Sequence, residues 1–162
     1  MITGPITGVG TLLARLITPL SANGNESLIL SNSLNNYSGG TIVVSNWLEA
    51  ATANALGTGN VEVQPGGKLR VWVSGAVNPS AKLYIDKSGS VSGLLDLGAS
   101  TNVVTTVARA FVGGTGGWKT PSGYSELAPG AYTTNSPGLS AYLVNLGVLK
   151  VPARSGLTIF VR

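Results

Sequence analysis

With no histidine, the carboxylates of this 162-residue chain are the first candidates for general acid–base chemistry: Glu26, Glu49, Glu62, Asp86, Asp96 and Glu126. Histidine and cysteine are both absent. That removes serine and cysteine triads, imidazole bases, thiolate nucleophiles and His/Cys metal sites together. Glycoside hydrolysis, the carboxylate chemistry that remains, needs two carboxyl groups about 5 to 9.5 Å apart across a groove. The six are isolated in sequence, although Glu62, Asp86 and Asp96 sit where neighbouring coils of a repeat could stack them. They read as solvated strand-face charges, with Glu62 and Arg70 as a candidate cross-strand pair. The expectation is therefore no enzyme, no catalytic residues and no cofactor.

Metal sites are not expected either, because calcium needs clustered oxygen ligands and no Asp-x-Asp or Gly-Gly-x-Gly-x-Asp run is present. The glycines at Gly113–Gly117 lack the P-loop arrangement, since Trp118 stands where the last loop glycine should precede Lys119-Thr120. The net charge of +4 comes from basic residues scattered from Arg15 to Arg162, so no nucleic-acid face is expected. The aromatic residues carry the remaining binding signal. Trp72 and Tyr84 fall on the outward phase of successive strands, and Trp118, Lys119 and Tyr124 share a long loop. Flat rings stack on sugars or on partner side chains, so these five are the candidate binding residues. The alternative is that they cover the edge of the core.

The elements that must position these groups are strands. Charged residues make up 10 % of the chain and glycines number 23, too few charges to coat helical surfaces and enough glycine to mark many turns. Gly39-Gly40 precedes TIVVS, Gly57–Gly59 precedes NVEV, and Gly66-Gly67 precedes KLRVWV. Alternation puts Val61, Val63, Leu69, Val71, Val73, Leu83 and Ile85 inside, with Glu62, Lys68, Arg70, Trp72, Lys82, Tyr84 and Asp86 facing solvent. Thr101–Val112 predicts one or two strands, and Leu143–Val151 and Leu157–Val161 predict closing strands. Ser45–Ala55 reads as a loop or corner. Thr11–Leu20 fits a helical cap or a strand equally. The short, even spacing suits β-coils or a β-sandwich.

The segment NNYSGGTIVVSN (Asn35–Asn46), followed by ANALGTGNVEVQPGGKLRV (Ala53–Val71), resembles the autotransporter-associated β-strand repeat. Ile6–Leu12 and Ser27–Asn32 are similar to the coil and strand that precede such a repeat, and Leu127–Thr134 with Gly147–Val151 to the end of an array. Ala14–Glu26 and Gly113–Ser125 depart from it, the latter as an inserted loop.

The resemblance implies an all-β, right-handed parallel β-helix (β-solenoid), against which a β-sandwich stays open. At roughly 20 residues per coil, the chain would hold about eight. It further implies a single module, residues 1–162, of a longer exported bacterial protein whose signal lies elsewhere, displayed extracellularly or at the cell surface without inserting in the membrane. The expected function is a rigid spacer or filament-forming unit. The alternative is an adhesin binding a surface glycan or host receptor. Open solenoid edges leave two alternatives: Thr11–Leu20 and Leu157–Arg162 cap the stack, or copies of the chain associate end to end.

Overall fold

The computed structural model describes residues 1–15 and 27–153. The parts of the expected caps at Leu16–Leu20 and Leu157–Arg162 lie outside the described residues. Among these residues every regular element is a β-strand.

Two parallel sheets run the length of the molecule. One orders β1 (Leu12–Ala14), β3 (Thr41–Val43), β5 (Val61–Val63), β7 (Lys82–Ile85) and β12 (Arg109–Val112), and ends on the antiparallel β13 (Ser125–Glu126). The other orders β2 (Ser27–Leu30), β4 (Asn46–Ala50), β6 (Gly67–Val71), β10 (Leu94–Asp96) and β15 (Leu143–Val144). The third side is irregular in the first coils. It becomes a sheet only where β11 (Val104–Thr106) pairs in parallel with β16 (Val148–Val151), which β14 (Gly130–Tyr132) flanks antiparallel. A hairpin of β8 (Lys87–Ser88) and β9 (Val91–Ser92) projects between β7 and β10.

The chain is a β-solenoid of about four turns. Eight coils do not form, because the coil length is not constant. Thr41 pairs Val61 twenty residues on, Val61 pairs Leu83, but Leu83 pairs Ala110 and Leu95 pairs Leu143, with the hairpin and two long connections inserted between. Thr101–Val112 forms two strands, as its β-branched content predicts. Of the expected loop or corner at Ser45–Ala55, the part after Ala50 is a turn, but Asn46–Ala50 form the central strand β4: Asn46 turns the corner in the left-handed region (φ 57°), and Trp47–Ala50 continue extended between β2 and β6.

Parallel stacking in register places like residues above like. Val43, Val63, Ile85 and Val112 form one interior column, and Leu48, Leu69, Leu95 and Leu143 another, all buried. Together they belong to one continuous core. The repeat-like motif supplies the corners. Asn35 accepts the Ile6 N–H through Oδ1 (2.8 Å) and donates from Nδ2 to the Ala55 carbonyl (2.9 Å), tying its own coil to the coils before and after it. The buried Tyr37 hydroxyl meets Thr41 Oγ1 at 2.6 Å, and burial pushes its pKa up to about 12. Gly57, at φ 62°, lies so close to this tyrosine that a Cβ would fall 2.4 Å from the Tyr37 carbonyl oxygen.

Asn35→Ala leaves the Ile6 amide and the Ala55 carbonyl unpaired at this corner and is expected to cost about 1–3 kcal/mol in urea unfolding. The opposite sign is expected at Thr105, whose hydroxyl is buried without a hydrogen-bond partner among the described residues. Thr105→Val should raise stability by about 1 kcal/mol, read as a higher urea midpoint at unchanged slope.

Candidate functional site

The outward phase of the strands is treated differently on the two sheets. On the first, the outward column runs Leu13, Ile42, Glu62, Tyr84, Phe111, Glu126 in register. Neither Glu62, Tyr84 nor Asp86 faces solvent as alternation predicts: Glu62 and Asp86 are each 3 % exposed and Tyr84 6 %. The inserted segment 113–124 folds back over them as a strap. It is held by the bridge between Thr115 and Ser122 and by the Lys87 amide donating to the Gly114 carbonyl (2.8 Å). The strap starts at the end of β12 and reaches back to β3, where a Cβ at Gly40 would fall 2.8 Å from the Trp118 ring.

Beneath the strap the two carboxylates are brought together from adjacent coils. Gln64 donates from Nε2 to Glu62 Oε1 (2.7 Å), and the Tyr124 hydroxyl donates to Asp86 while accepting the Gly117 N–H (2.8 Å). The backbone amides of Gly116 and Gly117 also serve Asp86. Burial pushes both carboxyls up. For Glu62 the nearby Asp86 charge adds to the rise, while Gln64 and Lys119 oppose it, and for Asp86 the tyrosine and amide donors oppose it. Desolvation first, then the hydrogen bond to Asp86, raises the Tyr124 hydroxyl far above its ordinary value.

The aromatic candidates divide. Tyr84, Trp118 and Tyr124 meet, joined by Phe111, but as an outer packing cluster. Tyr84 and Phe111 stack at 4.7 Å and 11°, Tyr124 stands edge-on to Tyr84 at 5.3 Å, and Trp118 is tilted against it at 6.5 Å. The Arg109 guanidinium lies over the Phe111 ring at 4.8 Å and pairs with Glu126 (2.7 Å). A cavity of about 470 Å³ beside this cluster is lined by Tyr84, Arg109, Phe111, Tyr124 and Glu126 with the end of the strap. Lys119 is exposed on the strap.

Trp72 is elsewhere, just past β6 on the second sheet, so it and Tyr84 do not form one platform. Here the outward residues make a ladder. Arg70 lies over Trp47 (4.3 Å) and Trp72 (5.2 Å), and its Nε reaches Asp96 Oδ2 at 2.6 Å. Its Nη1 stands 3.8 Å from Glu49, which also accepts the Trp72 indole N–H (2.8 Å). Asp96 is fully buried and takes further bonds from Asn145 Nδ2 (2.6 Å) and the Gly98 amide (2.9 Å). The expected Glu62–Arg70 pair does not exist, because the two residues lie on different sheets. Trp72 is 43 % exposed.

Several participants escaped the sequence reading, Arg109 and Asn145 among them. Trp47 was hidden by reading its strand as a corner, although it precedes Lys68 by one coil length. Phe111 is the register partner of Tyr84, a pairing that needed the 27-residue coil to be known. Gln64 carries no signal of its own. No known protein family, curated protein or solved structure matches the chain.

Arg70→Ala removes the charge that answers Asp96 but leaves Asn145 and the Gly98 amide in place. With Arg70 partly open to solvent, the expected cost is about 1.5–3 kcal/mol by thermal or urea unfolding. A loss indistinguishable from zero would show the ladder to be ornament on an already sufficient core.

Proposed function

We propose that this chain is a rigid structural module of an exported bacterial surface protein, a spacer that works by shape and not by chemistry. The observation that carries the reading is the pair of unbroken interior columns, over which the outward carboxylates Glu49, Glu62, Asp86 and Asp96 each take hydrogen bonds from within the module. Glu62 and Asp86 are roofed by the strap instead of lining a groove, and the Arg70 ladder answers its own charges. Display at the cell surface rests on the resemblance of Asn35–Asn46 and Ala53–Val71 to the autotransporter-associated repeat, whose Asn, Tyr and Gly positions hold the coil corners here.

The antiparallel β13 occupies the free edge of β12, and a strand of that direction is a poor template for the next parallel coil. This favours a spacer over a filament joined through that edge. Adhesion to a glycan or receptor is the lesser reading and would rest on Trp72, the candidate ring most open to solvent.

Two measurements test the proposal together. Light scattering over a concentration series is expected to find a monomer, and an antibody to the module is expected to label intact cells of the source organism. Concentration-dependent ordered oligomers would replace the spacer with a filament unit. Labelling only after permeabilisation would end the surface reading.

A further inference from the structure

We propose that segment 113–124 is a proton-dependent clasp, closed over Glu62 and Asp86 while the pair holds a proton and released as both carboxyls ionise. The argument begins with placement. Two carboxylates on adjacent coils are buried on the same outward face, under a segment that belongs to neither coil and contributes no strand to either parallel sheet until β13. Like charges so placed repel, and removing each from water is unfavourable unless a donor or cation answers it.

Donors answer Asp86: the Tyr124 hydroxyl and the Gly116 and Gly117 amides, all from the clasp itself. Glu62 has the side-chain amide of Gln64 on one oxygen, while the other lies against the Gly117 Cα so tightly that an added Cβ would fall 1.6 Å from it. Gly116 and Gly117 adopt φ 86° and 54°, the left-handed backbone that brings the clasp down onto the pair. Of the surrounding charged groups, Lys119 acts on Glu62 from the clasp. Lys87 follows Asp86 in the chain. On the β12–β13 side, Arg109 is matched by Glu126, and the Tyr84 hydroxyl is neutral well above physiological pH. The site is thus short of positive charge, and a proton on Glu62 is the simplest way to close it.

The direction of the pH effect follows from the raised pKa of both carboxyls. Closure is fully supported below the ordinary carboxylate range, where open and closed forms are both protonated. The support fades as pH rises through the raised values, because the open form ionises freely in water and the closed form does not. Opening uncovers Glu62, Asp86 and the Tyr84 ring while leaving the coil ladders paired.

Hydrogen exchange of the intact chain, corrected for the intrinsic pH dependence of amide exchange, tests this at residues 114–124 with the β5, β7 and β12 amides as the internal control. Between about pH 4 and about pH 8 the open population of the clasp is expected to rise by about tenfold or more, while the control strands change little. Glu62→Gln, which keeps the shape and removes the charge, is expected to hold the clasp closed across the range. Clasp protection that stays constant with pH in the unmutated chain would overturn the proposal without any variant. So would a Glu62→Gln protein that folds and retains the full pH dependence.

Discussion

Everything in this molecule depends on one constraint: each coil must return to the register of the coil before it. A parallel strand gains its hydrogen bonds only from neighbours aligned with it, and a slip of one residue would send every interior side chain outward. The columns of valine, isoleucine and leucine on the two long sheets are the consequence of meeting that constraint four times over. The corners are where it is enforced. Asn35 bonds to the coils on both sides of its own, and Gly57 lets the next coil come down onto Tyr37, so the residues of the repeat-like motif act between coils more than within one.

A solenoid that fills its interior with apolar columns must still place the alternate residues of every strand. The two sheets do so in different ways. On the second sheet the outward row is a laddered set of opposite charges and rings, with Arg70 between Trp47 and Trp72 and bonded to Asp96. On the first, the row includes Ile42, Tyr84 and Phe111, and the inserted segment packs Trp118 and Tyr124 against the aromatic part of it. That cover leaves Glu62 and Asp86 buried. The ionisable character of the clasp is therefore a by-product of covering an aromatic strip.

Alternation along the strands was enough to place Val61, Val63, Leu69, Val71, Leu83 and Ile85 inside, because that pattern is local and the pleat turns it directly into faces. It misplaced Glu62, Tyr84 and Asp86 for a physical reason: outward phase tells which way a side chain points, not what lies above it. The covering segment comes from more than a full coil later in the chain, and its length was visible while its destination was not. The corner residues were legible as a motif, but their bonds to other coils were not. Coil number failed because the period is not constant: Leu12 pairs Thr41 twenty-nine residues on, the next coils repeat at twenty to twenty-two, and β8–β9 and the long connections lengthen the later ones.

The most direct test of the account is a backbone assignment with amide and Hα NOE contacts read across the ladder Ile42, Glu62, Tyr84, Phe111. The solenoid predicts contacts in the parallel pattern between each residue and the strand one coil away, in unbroken sequence from β3 to β12. Close Hα–Hα contacts between antiparallel neighbours along these same strands, the signature of a sandwich, would contradict it.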